Sequence, residues 1–118
     1  MSEVAKFDCL SVENEEMRDM TITVQVPFMA ICPVPNKPYE GTITIEYQPV
    51  DKLLEWDSFA GYVKSLRTEN YTAENLLLHI VNELWEAVQP RVLHVSVEAK
   101  SVFHLPVVLE LYREDPYV

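Results

Sequence analysis

The sequence predicts an α+β fold, a four-stranded antiparallel sheet with two helices on one face in the order ββααββ. Three observations carry that expectation. Apolar residues alternate with polar ones in two early stretches, at Ile22, Val24, Val26 and Phe28 and again at Ile43, Ile45 and Tyr47. The spacing then turns helical twice between Leu53 and Gln89, and it returns to a period of two in two late stretches. With 118 residues, 48% of them hydrophobic, the chain can bury the core of one domain.

Residues 1–19 contain Glu13-Asn14-Glu15-Glu16 and little periodicity, and they read as an acidic, solvated leader that carries one short strand or stays mobile. A single domain is expected over 20–118. Its first strand runs from Thr21 to Phe28 and ends at the loop around Cys32, where Pro33, Pro35 and Pro38 each fix φ. Ile43, Ile45 and Tyr47 set threonines and Glu46 on the opposite face, so the two strands can form a hairpin that Pro49 closes. Leu53 to Arg67 places Trp56, Phe59, Ala60, Val63 and Leu66 on a helical stripe, with Glu55, Asp57, Lys64 and Arg67 facing out. Gly61 inside it costs about 1 kcal/mol against alanine and suggests close approach to another backbone. Thr72 is a good N-cap for a second helix, whose stripe of Leu77, Ile80, Val81, Leu84 and Val88 ends at Gln89-Pro90. Leu93, Val95, Val97 and Ala99 then alternate as a third strand, and Phe103, Leu105, Val107, Leu109 and Leu111 as a fourth that Pro106 places at an edge or a bulge. One helical layer on such a sheet leaves two open edges, which self-association would pair.

Nineteen acids against nine bases leave a net charge of −10, which argues against nucleic acid and anionic membrane as partners and favours a small uncharged ligand. Two cysteines, no signal peptide and no apolar run near the 18 or so residues of a membrane span place the chain in a reducing compartment, the cytoplasm, with Cys9 and Cys32 as free thiols. His79, His94 and His104 form no short-range ligand pair, and no metal is expected. The two glycines make no phosphate-cradling loop. Trp56, Phe59 and Trp85 lie on helix stripes and read as core. Cys32 by itself has two readings: a small buried hydrophobe at a strand end, or a thiol held in place by its prolines.

Cys32-Pro33-Val34, then Pro38, then Gly41-Thr42 before an alternating strand, resembles the active-site segment of the QueF family, the 7-cyano-7-deazaguanine (nitrile) reductases of queuosine biosynthesis, a route of tRNA modification. The similarity continues through Glu55, Ser58, Phe59, Tyr62, Ser65 and Arg67 to Glu74 without a gap, and covers about residues 21–112. It implies the tunnelling fold, self-association into a pentameric ring or double ring, and a 7-deazapurine as small-molecule substrate. It also implies a covalent thioimide between Cys32 and the nitrile carbon, with Glu74 holding the base and Glu55 and Ser58 contributing to its binding. NADPH is the cofactor the family implies, and Lys64 and Arg67 are the cations of the first helix that could meet it. The chemistry agrees with the first two roles: a thiolate is a strong nucleophile at neutral pH and a competent leaving group. A carboxylate can accept two hydrogen bonds from a guanine-like edge. An acid in the first helical turn also complements the helix dipole, worth ~0.3–1 kcal/mol, so Glu74 keeps both readings.

The chain departs from the family at several places. Tyr39 stands where the reductases have an aspartate proton donor, and Ala73 where they have a histidine. That leaves Tyr39, with a phenol pKa near 10, and Glu40, on the opposite side of a strand, as candidates for acid–base work. Asp57 and Ala60 replace the two lysines of the cofactor motif, and Ser101-Val102-Phe103 replaces an arginine–glycine–glycine turn. Reduction of the nitrile to an aminomethyl group ranks first. An archaeosine-type amidinotransferase using ammonia ranks second, and a non-catalytic purine- or pterin-binding protein third.

Overall fold

The computed structural model describes residues 6–101 and 104–117. Its main sheet has four antiparallel strands in spatial order β2 (Ile22–Cys32), β3 (Lys37–Gln48), β5 (Val92–Lys100) and β6 (Pro106–Glu114). Two helices, α1 (Trp56–Ser65) and α2 (Ala73–Val88), lie between β3 and β5 in the chain. The element order is longer than the sequence suggests, because β1 (Cys9–Ser11) and β4 (Lys52–Leu54) form a second, two-stranded sheet.

The period-two pattern sets the core. Val26, Phe28, Tyr39, Ile43, Ile45, Tyr47, Leu93, Val95 and Val97 are buried on one sheet face, and Phe59, Val63, Leu76, Ile80, Val81 and Leu84 from the helices are buried with them. Register follows from those residues, since a slip of one would turn every apolar side chain to the other face. Thus Ile45 pairs with Val24 on one side and Val95 on the other. Pro106 opens β6, which is an edge strand, so its missing N–H disturbs no inner ladder. Phe103, where the sequence starts that strand, lies outside the described residues.

The leader carries the one short strand the sequence allows for it, β1, and Phe7 beside it is only 3% exposed and meets the Phe59 ring edge-on at 5.2 Å between centroids. Three expectations are corrected. Leu53 does not begin α1: Lys52–Leu54 are extended, Cys9 pairs with Leu54, and the Glu55 carboxylate caps the helix by accepting from the Ser58 N–H. Trp56, at the first helical position, is 66% exposed and is not core. An added Cβ at Gly61 would meet nothing within 4 Å, so the close approach expected there is absent. It occurs at Gly41, where a Cβ would fall 1.9 Å from the Glu98 carbonyl oxygen.

Candidate functional site

β2 ends on Cys32, and Pro33–Asn36 turn the chain into β3. Asn36 takes a left-handed φ of 69°, which asparagine tolerates better than most residues. The Cys32 thiol donates to the Val34 carbonyl at 2.8 Å, within the same turn. It is half-buried and free of any disulfide.

The segment before α2 is stitched to the end of β2. The Ile31 N–H donates to the Glu69 carbonyl and the Tyr71 N–H donates to the Ile31 carbonyl, each at 3.0 Å. One residue later Thr72 caps α2, its hydroxyl accepting from the Asn75 N–H at 3.2 Å, as the sequence suggests. Glu74 therefore sits exposed in the first turn of α2, where the helix dipole favours its charge. These ties bring one end of the sheet and one helix start around a cleft of about 250 Å3. Cys32, Val34 and Pro35 line it from the turn after β2, Tyr39 from β3, Thr72, Ala73 and Glu74 from the start of α2, and Ala99, Ser101 and Val107 from the β5–β6 end. Thiol and carboxylate thus share one small cleft.

Tyr39 is 8% exposed and its phenol donates to the Tyr71 carbonyl at 2.7 Å. Burial first, then the neighbouring Cys32 and Glu74, push that phenol up to about 12. Burial raises the phenols of Tyr47 and Tyr62 as well. A phenol whose folded pKa lies above its unfolded value adds stability below pH 10 and loses it as pH climbs through 12. The urea midpoint should therefore hold steady from pH 8 to 10 and fall steeply from 10 to 12; a flat profile would contradict the burial of these hydroxyls.

The other sequence candidates lie elsewhere. Glu40 follows Tyr39 in β3 and takes the opposite sheet face, paired in register with Lys100. Glu55 is the cap of α1. The Ser58 hydroxyl accepts from the Asp8 N–H at 2.7 Å and lines a different cleft with Tyr62, Tyr71 and His79. Lys64 and Arg67 are exposed on α1 and the following turn, and neither lines the Cys32 cleft. His79 stacks on Tyr71 at 5.3 Å, while His94 bonds Glu110 at 3.2 Å on the sheet. Among the described residues no cluster of three metal-ligating side chains occurs. Ala99 and Val107 were not expected at the site. They reach it only through the pairing of β5 with β3 and β6, which no local pattern encodes.

A family model described as QueF-like protein matches residues 38–105, beginning just past Cys32. The NADPH-dependent 7-cyano-7-deazaguanine reductase of Chlorobaculum tepidum is 37% identical over 82 residues, 69% of this chain and 70% of that protein. The reductase of the same name from Chlorobium chlorochromatii is 32% identical over 93 residues, 77% of this chain and 80% of its own. The crystal structure of an archaeosine synthase QueF-Like in the apo form superposes with a TM-score of 0.73 at 20% identity, covering 78% of this chain and 91% of that one. At that identity the likeness concerns the fold alone.

Proposed function

This chain belongs to the QueF-like protein family, and from that premise we propose that it is a reductase of 7-cyano-7-deazaguanine, acting through a thioimide on Cys32. One observation carries the reading: the Cys32 thiol and the Glu74 carboxylate line the same small cleft. Glu74 accepts two hydrogen bonds from the N–H and amino groups of the guanine-like edge, and this charge-assisted pair orients the nitrile toward Cys32. The Cys32 sulfur adds to the nitrile carbon, one π bond of the nitrile opens, and a proton ends on nitrogen. Covalent attachment splits a hard step into two easier ones.

NADPH supplies the hydrides in the reading drawn from the relatives' names. Its phosphates call for cations, and within one chain the Cys32 cleft holds none: Lys64 and Arg67 lie outside its lining, and Asp57 and Ala60 occupy α1 beside them. The residues of a single chain do not fit the cofactor at this cleft. That same shortage of cations favours a second reading, in which ammonia adds to the thioimide carbon, the C–S bond breaks, and Cys32 leaves as the thiol while the amidine remains on the base. The net charge of −10 counts against a tRNA substrate for that reaction.

We further place the chain in the tunnelling-fold class and in a closed ring of identical subunits, because among the described residues β6 and, apart from Ile31, β2 are open edges that a neighbour would complete. Among the described residues no helix is long and apolar enough to cross a membrane. Two free cysteines suit a reducing cytoplasm.

Intact mass decides between the readings. The protein mixed with 7-cyano-7-deazaguanine should gain the mass of one base, and adding NADPH should discharge it as the aminomethyl product. Discharge by ammonium alone would favour the amidine reaction, and no mass gain at saturation would leave only a binding protein. Glu74→Gln sets a donor amide against the donors of the base, an uncompensated clash worth ~1–3 kcal/mol. The base should bind about 10- to 100-fold more weakly to that variant in calorimetry. Equal affinities with a lower melting temperature would reduce Glu74 to a helix-dipole role.

A further inference from the structure

We propose that Tyr39 is a positioning residue that sets the separation of Cys32 and Glu74, and is not the proton donor that its place in the chain suggests. The inference rests on the function proposed above. Tyr39 points into the cleft from β3, two positions before Gly41 on the same face, and its hydroxyl hydrogen is committed to the Tyr71 carbonyl at 2.7 Å. Tyr71 lies immediately before the Thr72 cap, and its own N–H is bonded to the Ile31 carbonyl, next to Cys32. The phenol is therefore a strut from the start of β3 to the start of α2. It fixes the segment that carries Glu74 against the strand end that carries Cys32.

A general acid must present its hydrogen to the reacting atom at a pKa near the working pH. Tyr39 offers its hydrogen to a backbone carbonyl, and burial holds its phenol near 12. The addition balances without it. The S–H bond of Cys32 and one π bond of the nitrile break, an S–C and an N–H bond form, and the thiol's own proton supplies the hydrogen on nitrogen.

Tyr39→Phe removes one oxygen and keeps the ring, which meets Phe28 edge-on at 5.9 Å. Affinity for 7-cyano-7-deazaguanine is measured by calorimetry in a Cys32→Ala background, and adduct formation at saturation in chains that keep Cys32. Losing the strut should weaken binding about tenfold and slow the saturating rate no more than about threefold, with the same pH–rate shape. A hundredfold slower rate at unchanged affinity would make Tyr39 the acid and overturn the proposal. Unchanged affinity and rate with only a lower melting temperature would overturn it too. Amide hydrogen exchange without ligand reads the strut separately: the Tyr71 and Asn75 amides should exchange faster in Tyr39→Phe, and equal rates would refute the tie. If the unsubstituted chain neither binds nor reacts with the base, the proposed function fails, and the exchange result alone decides the strut.

Discussion

Cys32→Ala should abolish the covalent adduct with 7-cyano-7-deazaguanine completely, while reversible binding of the base through Glu74 persists. The thioimide needs an S–C bond, and Cys32 is the one thiol among the described residues that line the cleft; the hydroxyls there, of Tyr39, Thr72 and Ser101, are hydrogen-bonded to Tyr71, Asn75 and Leu105. None of them is a nucleophile comparable with a thiolate at neutral pH. Cys9 does not substitute, because its thiol donates to the Ala87 carbonyl at 3.6 Å and burial pushes its pKa up. Intact mass after saturation reads the result directly. Cys32→Ala should show the mass of the bare chain, and Cys9→Ala should still gain one base. A Cys32→Ala chain that still gained that mass would move the nucleophile elsewhere and end the thioimide assignment.

Local signals mark Cys32 and Glu74 without assigning their roles: three prolines frame one, a threonine cap with an acid in the first turn frames the other, and the roles come from the family resemblance. What no local pattern encodes is the tie that brings them to one cleft within a single chain, the bonds of Ile31 to Glu69 and Tyr71. The sheet was legible from a local signal. Alternation at Ile43, Ile45 and Tyr47 reports burial on one face, and burial is decided locally by the pleat. Where tertiary contact decided the outcome, local pattern failed. Phe7 lies in an acidic stretch with no period, yet its ring is buried against Phe59 and Tyr62 of α1. Leu53 and Leu54 fit a helical stripe, but pairing with β1 holds them extended and Glu55 starts the helix after them. Tyr39 could be read as a candidate acid from its position, and only the hydrogen bond to Tyr71 distinguishes a strut from a donor.

Gly41→Ala and Gly61→Ala should move stability in opposite directions, although the sequence marks Gly61 as the tightly packed one. At Gly41 the new methyl would lie 1.9 Å from the Glu98 carbonyl oxygen and 2.9 Å from the Ala99 Cα. Both are backbone atoms of β5, so no rotamer change relieves the clash, and β3 must draw away from β5 along the centre of the sheet. Overfilling of this kind costs about 3 kcal/mol or more, which lowers the melting temperature of a chain this size by roughly 10 °C. The damage reaches the site as well, because Tyr39 precedes Gly41 by two residues and Ala99 both pairs with Gly41 and lines the cleft. Base affinity in the surviving folded protein should fall with stability. At Gly61 a methyl meets nothing within 4 Å, and alanine gains about 1 kcal/mol over glycine inside a helix. That variant should melt a few degrees higher. Thermal denaturation of the two variants beside the parent chain checks both signs, and a Gly41→Ala chain as stable as the parent would mean that β3 and β5 do not approach as closely there as their register requires.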